Sequence, residues 1–324
     1  MLLRWEKDRG NGLCLLLGKE GPEMKSFDTY KVSKEYTGFT LEEYLKQILQ
    51  YSGRKIQKLT RQKGIQLNGK TVFLQKKIKA DDTLRVRITE DTTYGVQPEE
   101  GPIDILYEDD YLLVLNKPAY QLVHPTGRTT TGTLANYLAY RQQQGGIVAT
   151  VRPVHRLDRE TSGCVIFAKD SHSQFILEQQ LKERVLKRSY RAVVKGIVTP
   201  PSAIIDAPIG AHPNLPNRRA INEEGEQAIT HYQTIQNFSD TTLLELTLDT
   251  GRTHQIRLHL AHIGNPIIGD SMYGVRSSVM ARQALHASSV SFKHVKNKQE
   301  ITVQAPLPAD FADTIDFYKK RNSD

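Results

Sequence analysis

The chain has 324 residues, 38% hydrophobic and 25% charged, a folded composition with apolar content enough for roughly two domains at ~150 residues each. Two cysteines, Cys14 and Cys164, exclude a disulfide framework or a four-thiolate zinc site and point to a reducing compartment. No apolar run approaches the ~20 residues of a membrane helix, and 44 Lys and Arg against 36 Asp and Glu leave +8, which favours a polyanionic partner.

Residues 1–23 differ in character from the rest of the chain. Leu13–Leu17 is too short for a secretory core, and Arg4, Lys7 and Arg9 are mixed with Glu6 and Asp8. Gly18 to Met24 can be encoded by a string containing AAGGAGG, a bacterial ribosome-binding site at the usual distance from an ATG. The expectation is therefore that the natural protein starts at Met24 and that residues 1–23 are a tail outside it.

Thr40, with Glu43 three residues on, forms a capping box ahead of Leu41, Leu45, Ile48 and Leu49 at helical spacing. Arg54 to Lys63 reads as a second helix with Ile56 and Leu59 facing inward. Ile65–Leu67 alternates into Asn68-Gly69, a strong hairpin signal; Val72 and Phe73 return, and Leu84 to Ile88 closes a small sheet. Arg54 to Lys79 holds nine Lys or Arg and no acid, so this stretch alone exceeds the net charge of the chain. Solvated faces usually mix signs, so the patch reads as a binding face. The helix pair followed by a "GxxLNGK" hairpin resembles the alpha-L RNA-binding module named after ribosomal protein S-four. The resemblance implies RNA binding over residues 24–90, with Arg54, Lys55, Lys58, Arg61 and Lys63 as sequence-tolerant phosphate contacts. Residues 91–102 are acidic and aperiodic and read as a linker.

From residue 103 to 324 strands dominate. Ile103–Tyr107 and Tyr111–Leu115 flank an Asp109-Asp110 turn, and Lys117-Pro118 ends the second strand. Thr133 caps a helix through Tyr140; Val165–Ala168 is a buried strand; Asp170 or Ser171 caps a helix to about Leu186. Tyr190–Val194, Ile229–Ile235 and Leu243–Leu248 are further strands, and Thr253 caps a short helix carrying Ile256, Leu260 and Ile263, stopped by Gly264. Strands without regular βαβ alternation predict an α+β fold, a mixed and largely antiparallel sheet with outer helices and a central cleft.

Four segments here are polar where a core would be apolar: Val154 to Gly163, Lys187 to Gly196, Gly251 to Gly274, and Leu285-His286-Ala287. Their patterns, "HRLDxxTSG", "KxYxAxVxG", "GRTHQIRxHxxxxGxPIxGDxxYG" and "RxALHA", resemble in order those of the RluA-type pseudouridine synthases, as do "NKPxxxxVHP" at Asn116–Pro125 and "EGEQAITHY" at Glu224–Tyr232. Tyr120 departs from a usual glycine and Val295 from a usual proline. The resemblance implies an RNA uridine-to-pseudouridine isomerase with Asp158 as nucleophile. It also implies that Tyr190 stacks on the target base and takes a proton, that Arg257 pairs with Asp158, and that Arg156 displaces the base. Arg252 is assigned to phosphate. Lys117, His124, His155 and Thr161 fall in the same motifs as substrate contacts, with His124, His155 and His286 read as structural or RNA-contacting.

The chemistry suits these residue types. Isomerisation adds and removes nothing, so no cofactor is expected. A carboxylate is a covalent nucleophile only while ionised, and an adjacent Arg opposes the rise in pKa that burial causes. An extruded base needs an aromatic face, worth about 1–3 kcal/mol. A glycoside hydrolase would need a second carboxylate as acid, and Glu160, two residues on, is the only near neighbour of Asp158 in the sequence. His254, His259 and His262 match no metal spacing, so no metal is expected, and Cys164 reads as a small core residue. The alternative to an enzyme is a non-catalytic RNA-binding ribosome-assembly factor, which need not retain Asp158, Tyr190 and Arg257. Ribosomal RNA is favoured over transfer RNA, with a bacterial, cytoplasmic, monomeric protein free of membrane.

Overall fold

The computed structural model describes residues 27–87, 91–215 and 218–321. The tail 1–23 with its Met24 start, and Ile88, lie outside the described residues. After β1 (Phe27–Lys31), Thr40 starts α1 (Leu41–Glu43) with both halves of a capping box: Glu43 N–H donates to Thr40 Oγ1 at 3.2 Å and Thr40 N–H to Glu43 Oε2 at 2.7 Å. The expected α-helix does not continue. Tyr44–Ile48 is a π-turn in which Leu49 N–H reaches the Tyr44 carbonyl, and the wider turn puts Tyr44, Leu45 and Leu49 into the core while Ile48 stays at its edge.

Ser52 caps α2 (Gly53–Arg61) by accepting from Lys55 N–H, and Ile56 and Leu59 are its buried residues. Asn68 and Gly69, at φ 51° and 77°, join β2 (Ile65–Leu67) to β3 (Lys70–Thr71). With β4 (Thr83–Arg87) they form an antiparallel sheet in the order β1-β4-β2-β3. The returning strand ends at Thr71, not at Val72-Phe73: the chain leaves the sheet there so that the Leu74 and Lys76 carbonyls accept the first free amides of α1, Glu42 and Leu41. Phe73 is left 86% exposed.

Residues 91–102 have no regular structure, but they are strapped down. Asp91 pairs with Arg152 at 2.6 Å, the Gln97 carbonyl accepts from Asn136 at 2.7 Å, and Tyr94 and Val96 pack on the large core. Asp91 lies below the usual carboxylate range: burial alone would raise it, and the Arg152 contact with the Thr150 bonds outweighs that.

The large sheet is built from β5 (Ile105–Glu108), β6 (Leu112–Lys117), β7 (Arg152–Pro153), β8 (Ser162–Ala168) and β9 (Lys187–Lys195). It continues through β10 (Ser202–Asp206), β13 (Ile229–Asn237), β14 (Thr241–Leu248), β15 (Leu285–Lys293) and β16 (Glu300–Gln304), while β11 (Ile209–Ala211) and β12 (Arg219–Ile221) form a separate hairpin. Its main path is β10-β13-β14-β9-β15-β8-β6-β5, with β16 on β15 and β7 on β8. All these pairings are antiparallel except β8 with β15. Four helices surround it: α3 (Leu134–Gln144) capped by Thr133, α4 (Ser171–Lys182) capped by Asp170, α5 (Gln255–His262) and α6 (Ala309–Arg321).

Both faces of this sheet are covered. Leu113, Leu115, Val165 and Phe167 enter one core cluster, and Leu112, Val114, Cys164 and Ile166 enter the other. That is why β8 is buried at every residue instead of alternating. Cys164 sits in the second cluster with its thiol pushed up to about 12 by burial, an inert core residue. The short α5 does not use Thr253 as its cap. Thr253 is exposed, His254 takes a left-handed φ of 61°, and the Gln255 side chain accepts from Arg252 N–H at 2.9 Å instead.

The parallel seam has no room for a side chain. Gly163 has φ 110°, and a Cβ there would lie 2.1 Å from the Ala287 carbonyl oxygen. Gly163→Ala should therefore destabilise the protein by about 2–4 kcal/mol through strain and overpacking. Urea unfolding is the check, and a change within about 0.5 kcal/mol, the usual surface range, would contradict the seam.

Candidate active site

The segment from Val154 to Glu160 leaves β7 and turns back into β8, with Thr161 N–H donating to the Asp158 carbonyl at 3.1 Å. This turn stands over a cleft of about 960 Å³ lined by His124, Arg156, Asp158, Arg188, Arg252 and Arg257, among others. A smaller recess of about 70 Å³ continues inward between Asp158, Tyr190, Arg257 and Leu285. Asp158 is 27% exposed by its side chain, and Arg257 Nη1 donates to its Oδ2 at 2.9 Å. The sequence separates the two by 99 residues; the fold makes them an ion pair.

Arg257 is itself held from behind. Its Nε and Nη2 donate to Asp270 at 2.6 and 2.9 Å, a bidentate pair on a carboxylate 1% exposed. Asp270 also accepts from Met272 and Tyr273 N–H at 2.8 and 3.1 Å. Burial pushes the Asp270 pKa up, but the Arg257 bonds and charge and the two amides outweigh it, so the acid lies below the usual range and stays ionised. Burial opposes the Arg257 charge too, and the two carboxylates outweigh it, raising its pKa. Asp270 is a site residue that sequence reasoning misses. Its signal is an acid in a glycine-flanked segment just after the helix carrying Arg257, but nothing in the sequence says which way it faces. Gly269, at φ 77°, is forced by the same loop, because a Cβ would meet the Arg282 carbonyl oxygen at 2.0 Å.

Tyr190 and Arg188 lie two apart on β9 and so share a face. Tyr190 is buried beside the recess, and burial is the main cause that raises its pKa, so the phenol is neutral. Arg188, also missed, lines both cavities, and its Nη2 donates to the Thr250 carbonyl at 3.1 Å while its buried Nε finds no protein partner.

The remaining sequence candidates divide. Arg156 is exposed at the mouth of both cavities. Arg252 lines both but is engaged with Glu226 at 2.6 Å and the Gln227 carbonyl at 3.0 Å. His124 lines the cleft and is half-buried, its pKa lowered by burial and then by Arg156. His155 is buried and neutral, pushed down to about 3 by burial and Arg188, and its Nε2 accepts from Ile166 N–H. Thr161 is buried and accepts from Gln283 at 2.8 Å. Lys117, expected at the substrate, is fully buried instead. Its ammonium donates to the Pro118, Gln121 and Arg159 carbonyls at 2.8, 2.7 and 3.0 Å, so all three protons serve the loops around Asp158. Burial, then the nearby Arg282, bring its pKa down to about 7, with Asp158 opposing.

Arg282 completes this support. It is 1% exposed, pairs with Asp310 through Nε and Nη2 at 2.6 and 2.9 Å, and donates to the Glu160 carbonyl at 2.9 Å. The three histidines near α5 do not converge. His254 bonds the Tyr273 hydroxyl, His259 has Thr230 and the Ala207 carbonyl as partners, and His262 is exposed. His286 is buried against Ser162, pushed down to about 4 chiefly by burial.

On the small module, Arg54, Lys58 and Arg61 line one exposed groove of α2, and Lys63 follows at the helix end. Lys55 instead lies over the Tyr51 ring at 4.0 Å. Among the described residues no carboxylate forms an ion pair with Arg54, Lys58, Arg61 or Lys63.

Residues 111–262 match the family described as RNA pseudouridylate synthase, and residues 29–84 match the RluD ribosomal pseudouridine synthase N-terminal domain. A Bacillus subtilis protein named as an uncharacterized RNA pseudouridine synthase, YhcT, is 39% identical over 289 residues, 89% of this chain and 96% of its own length. Ribosomal large subunit pseudouridine synthase D of Nitrosomonas europaea is 37% identical over 292 residues, 87% and 85% of the two chains. The structure of human RNA pseudouridylate synthase domain containing 1 shares the fold at a TM-score of 0.54 and 24% identity, covering 65% of this chain and 86% of its own. The chain belongs to the RluA-type family of RNA pseudouridine synthases, isomerases that convert uridine in RNA to pseudouridine.

Proposed function

We propose that the enzyme isomerises specific uridines in ribosomal RNA, with Asp158 as the covalent nucleophile. The observation that carries this reading is the Asp158 carboxylate, held through one oxygen by Arg257 at 2.9 Å and exposed to a recess bounded by Tyr190. Arg257 lies against the nucleophile as a cation that does not itself lose a proton. In the reaction the Asp158 carboxylate bonds to the ribose carbon as that carbon's bond to ring nitrogen breaks; the uracil turns, and the bond to Asp158 breaks as ring carbon five bonds to the ribose, the proton lost from carbon five balancing the one gained at nitrogen. The neutral phenol of Tyr190 suits stacking on the detached base better than accepting a proton. Arg156, exposed at the mouth, is placed to fill the gap left by an extruded base. Asp270 could not serve as a hydrolase acid, since it is ionised and both its oxygens are engaged.

The large-subunit enzymes among the relatives support ribosomal RNA as the substrate, and with it a cytoplasmic location. Among the described residues no helix is long and apolar enough to cross a membrane. The same reading takes the enzyme as a working monomer. Residues 24–90 serve as the alpha-L RNA-binding domain, 91–102 as its connection, and 103–324 as the catalytic domain. Arg54, Lys58 and Arg61 on α2 are its phosphate contacts.

Asp158→Ala should abolish pseudouridine formation while RNA affinity stays within a few-fold; full activity in this variant would remove the nucleophile assignment. Replacing Arg54, Lys58 and Arg61 together by Ala should weaken binding across unrelated RNA sequences and flatten log K against log salt by about 2 to 3, since each phosphate contact contributes about 0.7–0.9. An unchanged salt slope would mean the helix face does not meet RNA.

A further inference from the structure

The turn after β6 carries a residue in the wrong conformation for its type. Tyr120 has φ 65°, a left-handed backbone that bulky residues adopt rarely, and it is 51% exposed. A glycine would sit there without strain. The surroundings hold the strained shape firmly. The Pro118 and Gln121 carbonyls on either side accept from the buried Lys117 ammonium, and the Tyr120 carbonyl accepts from Arg159 Nε at 3.2 Å. Lys117 also bonds the Arg159 carbonyl, so this turn and the turn bearing Asp158 are tied together twice.

Burial does not explain the ring, and hydrophobic packing does not require it. What remains is position. Arg159 is exposed, one residue from the nucleophile, and lines the cleft; Tyr120 is bonded to it through its carbonyl and lies two residues before Leu122, which lines the same cleft. Extruding a uridine breaks its stacking with the neighbouring nucleotides, and unstacked RNA bases are taken up on aromatic side chains and guanidinium planes. We propose that Tyr120 and Arg159 form a subsite for a nucleotide flanking the target uridine, with the Tyr120 ring stacking on its base and Arg159 facing its phosphate. The subsite rests on the assignment of Asp158 as the reacting group.

The test compares Tyr120→Gly, Tyr120→Asn and Tyr120→Phe in the full chain. The probe is a stem-loop RNA cut around a uridine that pseudouridine mapping shows this enzyme modifies, with 2-aminopurine at the flanking position for fluorescence. Gly and Asn tolerate the left-handed backbone, so both variants should melt at or above the wild-type temperature. They should lose about 5- to 100-fold in kcat/KM, mostly through KM, with loss of the 2-aminopurine quenching. Phe keeps the ring and should match wild type in both readouts. Melting below wild type for Tyr120→Gly, kcat/KM within twofold of wild type, or a Phe variant as impaired as Gly would each overturn the subsite. On the same RNA, full activity of Asp158→Ala would instead overturn the assignment on which the subsite rests.

Discussion

One guanidinium serves two carboxylates. Arg257 gives Nε and Nη2 to Asp270 and has Nη1 left for Asp158. Three such charges in a semi-buried site are stable only if each is matched, because a buried charge with one partner removed is strongly destabilising. Asp270 meets this demand with backbone amides as well as Arg257, so it acts as a fixed counter-ion. Arg257 is thereby locked in rotation, and the direction of its remaining N–H sets where the Asp158 carboxylate stands. Much of the local fold serves this arrangement: Gln255 starts the helix, the Gly269 loop returns close to it, and Lys117 and Arg282 grip the backbone on either side of Asp158.

The catalytic and binding charges are kept apart. The acid-free stretch from Arg54 to Lys79 lies on a small module with its own core, and among the described residues no carboxylate pairs with Arg54, Lys58 or Arg61 on its α2. The larger body uses its arginines differently: Arg257 and Arg282 are spent inside on carboxylates, and Arg156 faces the cleft. In the proposed function, long-range attraction to a polyanion and close placement of one nucleotide thus fall to different parts of the chain.

Features legible in the sequence are local ones. The Thr40, Thr133 and Asp170 caps, the Asn68-Gly69 turn and the buried run of β8 depend on residues within a few positions of each other, and all appear in the structure. Asp158, Tyr190 and Arg257 are visible as motif residues and are brought to one recess. The features that escape are three-dimensional. The π-turn at Tyr44–Ile48 and the departure at Thr71 are tertiary choices that override helical and strand spacing. Lys117 reads as a substrate contact because it falls in the "NKPxxxxVHP" motif, yet three backbone carbonyls capture it. Asp270 and Arg188 carry no spacing that reveals that one meets the Arg257 guanidinium and the other the Thr250 carbonyl.

The dependence of Asp158 on the Arg257–Asp270 pair is tested most directly by the single-turnover rate of Asp270→Asn, measured beside its RNA dissociation constant. An amide cannot match the charge of Arg257 or accept its fork through two oxygens. A large loss of the chemical rate is expected with RNA affinity nearly unchanged, since Asp270 touches no surface the RNA can reach. Turnover at the wild-type rate would show that Arg257 holds Asp158 without help, and would contradict that dependence.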